Sequence, residues 1–283
     1  MTGKRPYRAI FNFAHRCAMS CEWCYVSFGN VPASKFMALS VVERIAELGF
    51  ASITVGGGDP FQYRFAPELL RHAKSLGLFV HVDTHGRSIQ QTDESAELIE
   101  STIDLLGLPI DGSSPSVHDK MRNSIGHFEL IWRRLNWLEP FRTRVKLNTV
   151  TSLVNVGDLT ALAEIIEAYE PARWSIYQYW PIGPAALVSV KHSIDDFAFQ
   201  HYSDVLRAKF RTGKVKLEIN ARESRRDTYP IIHHDGEVFV HTHAPQNSYV
   251  SIGSIFDVDA LERILLWCSA ERPAALDRYL LDL

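Results

Sequence analysis

"FNFAHRCAMSCEWCYVSFGN", residues 11–30, holds three of the chain's four cysteines. Cys17, Cys21 and Cys24 follow a β-rich run, "YRAIFNF" (7–13), at the spacing C-x3-C-x2-C. Three thiolates on one tight loop suit a soft metal centre, zinc or iron–sulfur. Cys21 and Cys24 lie too close together to staple much chain as a disulfide, so the cluster reads as metal ligation in a reducing cytoplasm. With no fourth protein ligand, one metal corner stays open to a small molecule, as catalytic metals keep an open position. The alternative is a structural zinc site with His15 or a distant residue as fourth ligand, although such sites usually carry two ligand pairs. Cys268 sits apart in "ALERILLWCSA", an apolar helical pattern, and reads as a small core residue.

Outward from this loop, strand and helix patterns alternate. Helical "ALSVVERIAELG" (38–49) leads to the strand "ASITVGG" (51–57), and "APELLRHAKSLG" to "LFVHVDT" (78–84). "DESAELIEST" leads to "IDLLGLPID" (103–111), and "HFELIWRRLNWLE" to "TRVKLNTVT" (143–151). "VGDLTALAEIIEAY" and "ARWSIYQYW" (172–180) complete six strands. Such a series predicts parallel strands with right-handed crossovers. Six units are too few for the closed eight-fold barrel. The expected fold is therefore α/β, a partial (β/α)6 TIM-like barrel over residues 1–180. In such folds the chemistry sits at the carboxyl ends of the strands. The cysteine loop follows the first strand, "GGGDP" the second and "THG" the third, so all three gather at one rim.

Beyond residue 180 the pattern changes. "SIDDFAFQHYSDVLRAKF" (193–210) predicts a helix capped by Ser193. "KVKLEIN" is a short strand, "DGEVFVHT" (235–242) a turn and a strand, and "DVDALERILLWCS" a helix. Residues 181–283 are expected to form an α+β extension packed on the barrel and closing over the substrate.

At 283 residues and 46% apolar, the chain can bury a large core. A net charge of −3 with balanced signs gives no sign of a nucleic-acid polymer or an anionic membrane as partner. Residues 1–10 contain no apolar signal region, and no run approaches the roughly 18 apolar residues of a membrane span. The expectation is a cytoplasmic protein.

The cysteine loop resembles the signature of the radical S-adenosylmethionine (SAM) superfamily, C-x3-C-x-Φ-C, with Trp23 as the aromatic residue before Cys24. The resemblance runs across roughly residues 7–180. Gly57, Gly58, Asp59 and Pro60 resemble that family's GGEP loop, with Asp for Glu; two glycines allow close approach to the SAM amino group, and the carboxylate can accept from it. Thr84 opens "THGRS", similar to a T/S-N-G segment with His85 for Asn. Arg122, in "IDGSSPSVHDKMRN", matches a segment carrying an arginine near SAM. Asn148, at the end of "KLNTV", matches a position that contacts the ribose or carboxylate. Read without the family, Gly57 and Gly58 could form a simple turn, Asp59 an N-cap, Arg122 a surface ion pair, and Asn148 a partner for strand-end backbone.

The resemblance implies one 4Fe–4S cluster on Cys17, Cys21 and Cys24, with SAM chelating the open iron. It also implies a reducing electron donor such as flavodoxin or ferredoxin. Reductive cleavage would give a 5′-deoxyadenosyl radical that takes hydrogen from an unactivated C–H bond, while the protein orients the target and excludes water.

The layout most resembles the viperin-type single-cluster group, which implies a nucleotide or similar small polar substrate. "FNFAHRC", "KLNTVTSLVNV", "ARWSIYQ" and "DTYPIIHHDG" carry that likeness. Lys146 and Asn148 match positions where the group reads its nucleotide. At its RWK segment this chain has Arg173, Trp174 and Ser175, so a phosphate-reaching lysine is absent. Residues 207–226 hold eight Lys or Arg against two Glu. Arg222, Arg225 and Arg226 could clamp phosphate or carboxylate there, or form a solvated basic face. Tyr177 or Tyr179, if turned into the barrel, would stack a base or shield a radical; plain packing is the alternative. Residues 231–265 resemble an auxiliary-cluster tail that has lost its cysteines. His241 and His243 share one strand face there, as a metal pair or as cavity or solvent residues. Radical SAM modification of a peptide, by crosslinking or epimerisation, is the second expectation, although no peptide-binding winged helix precedes the first strand. A non-catalytic zinc module is the third.

Overall fold

Alternation along the first strand separates two environments. In β1 (Arg8–Ala14), Ala9, Phe11 and Phe13 are buried in the apolar core, while Arg8, Ile10 and Asn12 line an internal cavity. A period of two along an extended chain imposes this split. The computed structural model describes residues 7–14, 16–27, 33–241 and 249–268.

After β1 come α1 (Lys35–Glu47), β2 (Ser52–Gly57), α2 (Ala66–Ser75), β3 (Phe79–Asp83), α3 (Asp93–Ser101) and β4 (Leu105–Pro109). Two helices follow, α4 (Pro115–Arg122) and α5 (His127–Trp137), then β5 (Val145–Thr151), α6 (Leu159–Tyr169) and β6 (Arg173–Gln178). The remainder is α7 (Ser189–His192), α8 (Asp196–Phe210), β7 (Lys216–Asn220), α9 (Arg222–Arg225), β8 (Ile231–His233), β9 (Glu237–His241), β10 (Tyr249–Ser254) and α10 (Ala260–Trp267).

Strands β1 to β6 are parallel neighbours in chain order. Phe11 pairs with Val55, Val55 with Val82, Val82 with Leu106, and Leu106 with Val145. This register lays one apolar row across the outer face, under the helices. α1 shows why the helices dock there: Ala38, Val41, Val42 and Ile45 recur at helical spacing and are buried, and Ser34 caps the first turn by accepting from Met37 N. Each such aliphatic side chain contributes about 1.5–3 kcal/mol on burial. Residues from β1 to β6 and from β8 line one cavity on the inner face, so the sheet curls into a partial barrel.

The extension does not stand off as a separate layer. β7 pairs with β6 at one edge of the ten-stranded sheet, and β8 pairs with β1 at the other, followed by antiparallel β9 and β10. Five of these elements escaped the sequence patterns. β8, α7 and α9 have three or four residues, too few for a period to show; α4 carries only Val117 and Met121 as large apolar side chains, and β10 has Ser251 and Gly253 inside its run. The cap of α8 is Asp195, which accepts from Ala198 N at 2.7 Å, and not Ser193, which precedes the helix. Cys268 is buried against the core at the end of α10, where burial pushes its thiol up to about 12. Among the described residues no helix is long and apolar enough to cross a membrane.

Candidate functional site

Past Ala14 the chain crosses the carboxyl end of the sheet as a loop. Cys24 N donates to Cys21 O at 3.2 Å, and Met19 N to Cys17 Sγ at 3.4 Å. Two glycines at the end of β2 hold this loop down. Gly58 N donates to Ala14 O, and Asp59 N to Arg16 O at 3.3 Å. A Cβ on Gly57, whose φ is +106°, would overlap Ala14 O, and one on Gly58 would overlap Arg16 O. The close approach that these glycines permit is therefore to the backbone of the cysteine loop itself.

Cys17, Cys21, Cys24, Gly57 and Gly58 all line one cavity of about 260 Å³. Burial pushes the Cys17 thiol up to about 11 and the Cys24 thiol up to about 12, and raises Cys21 as well. Arg122 opposes the shift, with Nη1 3.9 Å from Cys21 Sγ. It is no surface ion pair. Arg122 is buried, donates from Nε to Asp111 Oδ2 at 2.5 Å, and lies 4.6 Å over the Trp23 ring. Trp23 Nε1 donates to Met121 O at 2.8 Å, which fastens the loop to the end of α4.

Asp59 is corrected. Its carboxylate is fully buried and does not line the cavity. Oδ1 accepts from Phe61 N at 2.8 Å, capping the short 3₁₀ turn that Pro60 begins. Oδ2 accepts from Thr84 Oγ1 at 2.7 Å and His85 N at 3.1 Å. The acidic residue thus ties the second rim segment to the third and offers nothing to an amino group. Thr84 and His85 do reach the cavity, and His85 Nε2, buried, has no hydrogen-bond partner among the described residues.

The cavity floor is polar. Asn148 Nδ2 donates to Asp83 Oδ1 at 2.8 Å, and His81 Nε2 lies 3.1 Å from the same oxygen. His81 Nδ1 is 3.1 Å from Thr54 Oγ1, which accepts from Arg8 Nε at 3.0 Å. Asp83, His81, Thr54, Arg8, Asn12, Tyr25 and Tyr229 were not expected from the sequence. The signal lay in "LFVHVDT", where alternation turns His81 and Asp83 to one face while Val80 and Val82 take the other.

Of the expected substrate residues, Tyr177, Arg225 and Asn148 line the cavity. Lys146, buried beneath, donates to Tyr177 Oη at 2.8 Å. Arg225 stacks 4.3 Å over Trp180, and the His241 ring meets Trp180 edge-on at 4.3 Å, so His241 supports the wall without lining it. The others are placed away from it. Arg173 lies four residues nearer the amino end of β6 than Tyr177, in an ion pair with Glu218 at 2.7 Å that also takes Ser175 Oγ. Tyr179 is buried, with its hydroxyl donating to Ala185 O. Arg222 pairs with Asp196 at 2.5 Å, and Arg226 with Glu223 at 3.1 Å. His15 and His243 lie outside the described residues.

Residues 11–166 match the family model described as the radical SAM superfamily. The chain belongs to the radical SAM superfamily. It is 28% identical over 191 residues to an S-adenosylmethionine-dependent nucleotide dehydratase of Lacinutrix mariniflava, covering 61% of this chain and 38% of that protein. It is 27% identical over 184 residues to a protein of the same name from Flammeovirga pacifica, covering 61% of this chain and 62% of that one. The match thus spans under two thirds of either relative. Streptococcus suis SuiB, solved with its precursor peptide SuiA, superposes with a TM-score of 0.74 at 12% identity, over 96% of this chain and 66% of that one. At such identity the likeness shows the fold alone, shared over nearly all of this chain.

Radical SAM proteins imply a 4Fe–4S cluster and SAM, and the chain's own residues fit them. The three thiols share one cavity wall, where burial makes a bare thiolate costly and a metal charge would offset that cost. Among the described residues no three His, Cys, Asp or Glu side chains gather as a cage for one ion; a cubane asks each thiol for a different iron. His85 Nε2 supplies a polar atom on the same cavity with no hydrogen-bond partner among the described residues.

Proposed function

We propose that this chain is a radical SAM enzyme that holds one cluster on Cys17, Cys21 and Cys24 and abstracts hydrogen from a nucleotide or similar small polar metabolite. What carries the proposal is the convergence of three thiols, a glycine pair and a polar floor on a single cavity. When bound, the cluster and SAM supply one-electron cleavage of the sulfonium and a carbon-centred radical.

The protein's part is placement and exclusion of water. Arg122, neutralised by Asp111 on one side, brings positive charge to the thiols. Trp23 fixes the loop against α4. Gly57, Gly58, Thr84, His85 and Arg122 form the seat proposed for SAM, while Tyr177, Arg225, Asp83 and Asn148 face the substrate. The extension, through Arg225, Tyr229 and Ile231, walls the side of the barrel that six strands leave open. A low-potential donor such as flavodoxin or ferredoxin would deliver the electron, in a reducing compartment such as the cytoplasm that keeps the thiols reduced.

A nucleotide is favoured over a peptide because the two relatives matched at 28% and 27% identity over 191 and 184 residues carry the dehydratase name; a PqqA peptide cyclase of Rhizobium meliloti matches too, at 25% identity over 164 residues, and keeps a peptide as the second reading. The test is release of 5′-deoxyadenosine from SAM by reduced, cluster-reconstituted protein, with nucleotide and peptide pools offered separately. Stimulation by nucleotides is expected, and stimulation by peptides alone would reverse the choice. Cys17→Ala, Cys21→Ala or Cys24→Ala should each abolish cleavage, and retained cleavage would remove the cluster assignment.

A further inference from the structure

Strands β3, β4 and β5 lie side by side, with Asp83 paired to Gly107 and Pro109 to Asn148. Asp83 and Asn148 meet across β4 because position 107 has no side chain. A Cβ there would overlap Asp83 Oδ1 and stand 2.7 Å from Asn148 Nδ2. Asn148 Nδ2 donates to Oδ1, and His81 Nε2 lies 3.1 Å from the same oxygen. No described residue donates to Asp83 Oδ2, and the carboxylate lines the cavity with 38% of its side chain exposed. Asn148 Oδ1 is buried and likewise has no partner among the described residues. Asp83 Oδ2 and Asn148 Oδ1 thus belong to two hydrogen-bonded residues that both line the cavity, and neither oxygen has a donor among the described residues.

Burial works against the Asp83 charge, but the His81 contact and the charges of Lys146 and Arg8 outweigh it and hold the carboxyl well below the usual range. Asp83 is thus ionised at neutral pH. Buried acceptors call for N–H or O–H donors. A fixed negative charge beside them penalises an anionic oxygen and favours a cation or a neutral donor.

We propose that the Asp83–Asn148 pair, seated over Gly107, selects the substrate by binding a neutral or cationic group that presents N–H or O–H donors, a sugar diol or an ammonium, and by turning phosphate away. It rests on the proposal that this cavity holds the substrate. For a nucleotide-like substrate the pair fixes the direction of binding, with the sugar toward β3 and β5. Any phosphate would then have to point away from Asp83.

The test uses cluster-reconstituted protein saturated with SAM, titrated calorimetrically with uridine, with uridine 5′-triphosphate and with agmatine. Uridine or agmatine should bind at least about tenfold more tightly than the triphosphate. Asp83→Asn keeps the shape and gives up the charge, so that preference should fall by about tenfold or more, with the triphosphate gaining affinity. Gly107→Ala parts the pair and should weaken uridine and agmatine without helping the triphosphate. SAM affinity, measured by equilibrium dialysis, should be the same in wild type and Asp83→Asn. Equal ligand profiles in wild type and Asp83→Asn, or no binding of any probe to wild type, would overturn the assignment. A loss of SAM binding in Asp83→Asn would overturn it too, by placing the pair under the cofactor. Asp83-dependent binding of agmatine with none of uridine would keep the pair and discard the nucleotide.

Discussion

Arg122 carries two duties in one side chain. Its guanidinium neutralises Asp111, which is fully buried and also accepts from Val150 N at 2.8 Å, and it lies beside Cys21 and over Trp23. Removing one partner of such a pair strands the other charge away from water. Arg122→Met should therefore destabilise the fold by about 3–5 kcal/mol, read from the urea midpoint. Arg122→Met combined with Asp111→Leu should recover part of that loss, and an equal or larger loss in the double variant would show that the pair is not the cause. At this scale the sequence was a partial guide. Arg122 was found through its motif, but its partner Asp111 is set by the fold. Asp59 was misassigned because the donors that occupy it, from Thr84 and His85, are contributed by a strand end 25 residues away.

The rim is assembled from strand ends, and its tightest joint is between β2 and the cysteine loop. Gly58 faces the backbone carbonyl of Arg16 with no room for a methyl group. Gly58→Ala must push the loop off the sheet, so iron bound per chain after reconstitution should fall by about half or more. Gly157→Ala serves as the control, since nothing lies within 4 Å of a Cβ at that position; its iron content should match wild type. The six parallel strands and most of the helices were legible as periodic runs. β8 and α4 were not, because three residues hold too little of a period and α4 has only Val117 and Met121 to form an apolar stripe. Yet α4 supplies Arg122 and the carbonyl that anchors Trp23, and β8 supplies the cavity wall at Ile231.

At the scale of the whole molecule, His81, His118 and His127 are buried and held neutral. Burial pushes His118 down to about 2, and His81 and His127 down to about 4. The unfolded chain binds protons at these groups below about 6.5, while the folded chain does not until about 4 or lower. In that window the unfolded state holds more protons, so stability rises with pH and levels off above about 6.5. The urea midpoint should accordingly drop between pH 7 and pH 5. A midpoint that stays flat or rises over that interval would mean that these histidines titrate alike in both states.

By itself, the sequence determined the alternation of strands and helices, the grouping of three loops at one rim, and the identity of the thiols. These follow from local periodicity and from residue chemistry, which need no knowledge of distant partners. Only the tertiary structure decided which polar side chains share the cavity. Arg173 and Tyr177 stand on the same inner face of β6, but the depth of the register gives one to Glu218 and the other to the cavity. Asp83 and Asn148 are 65 residues apart and touch because a parallel register brings β3 and β5 to either side of a glycine on β4. Strand pairing fixes such neighbours at long range, and a linear pattern with a period of two carries no record of them.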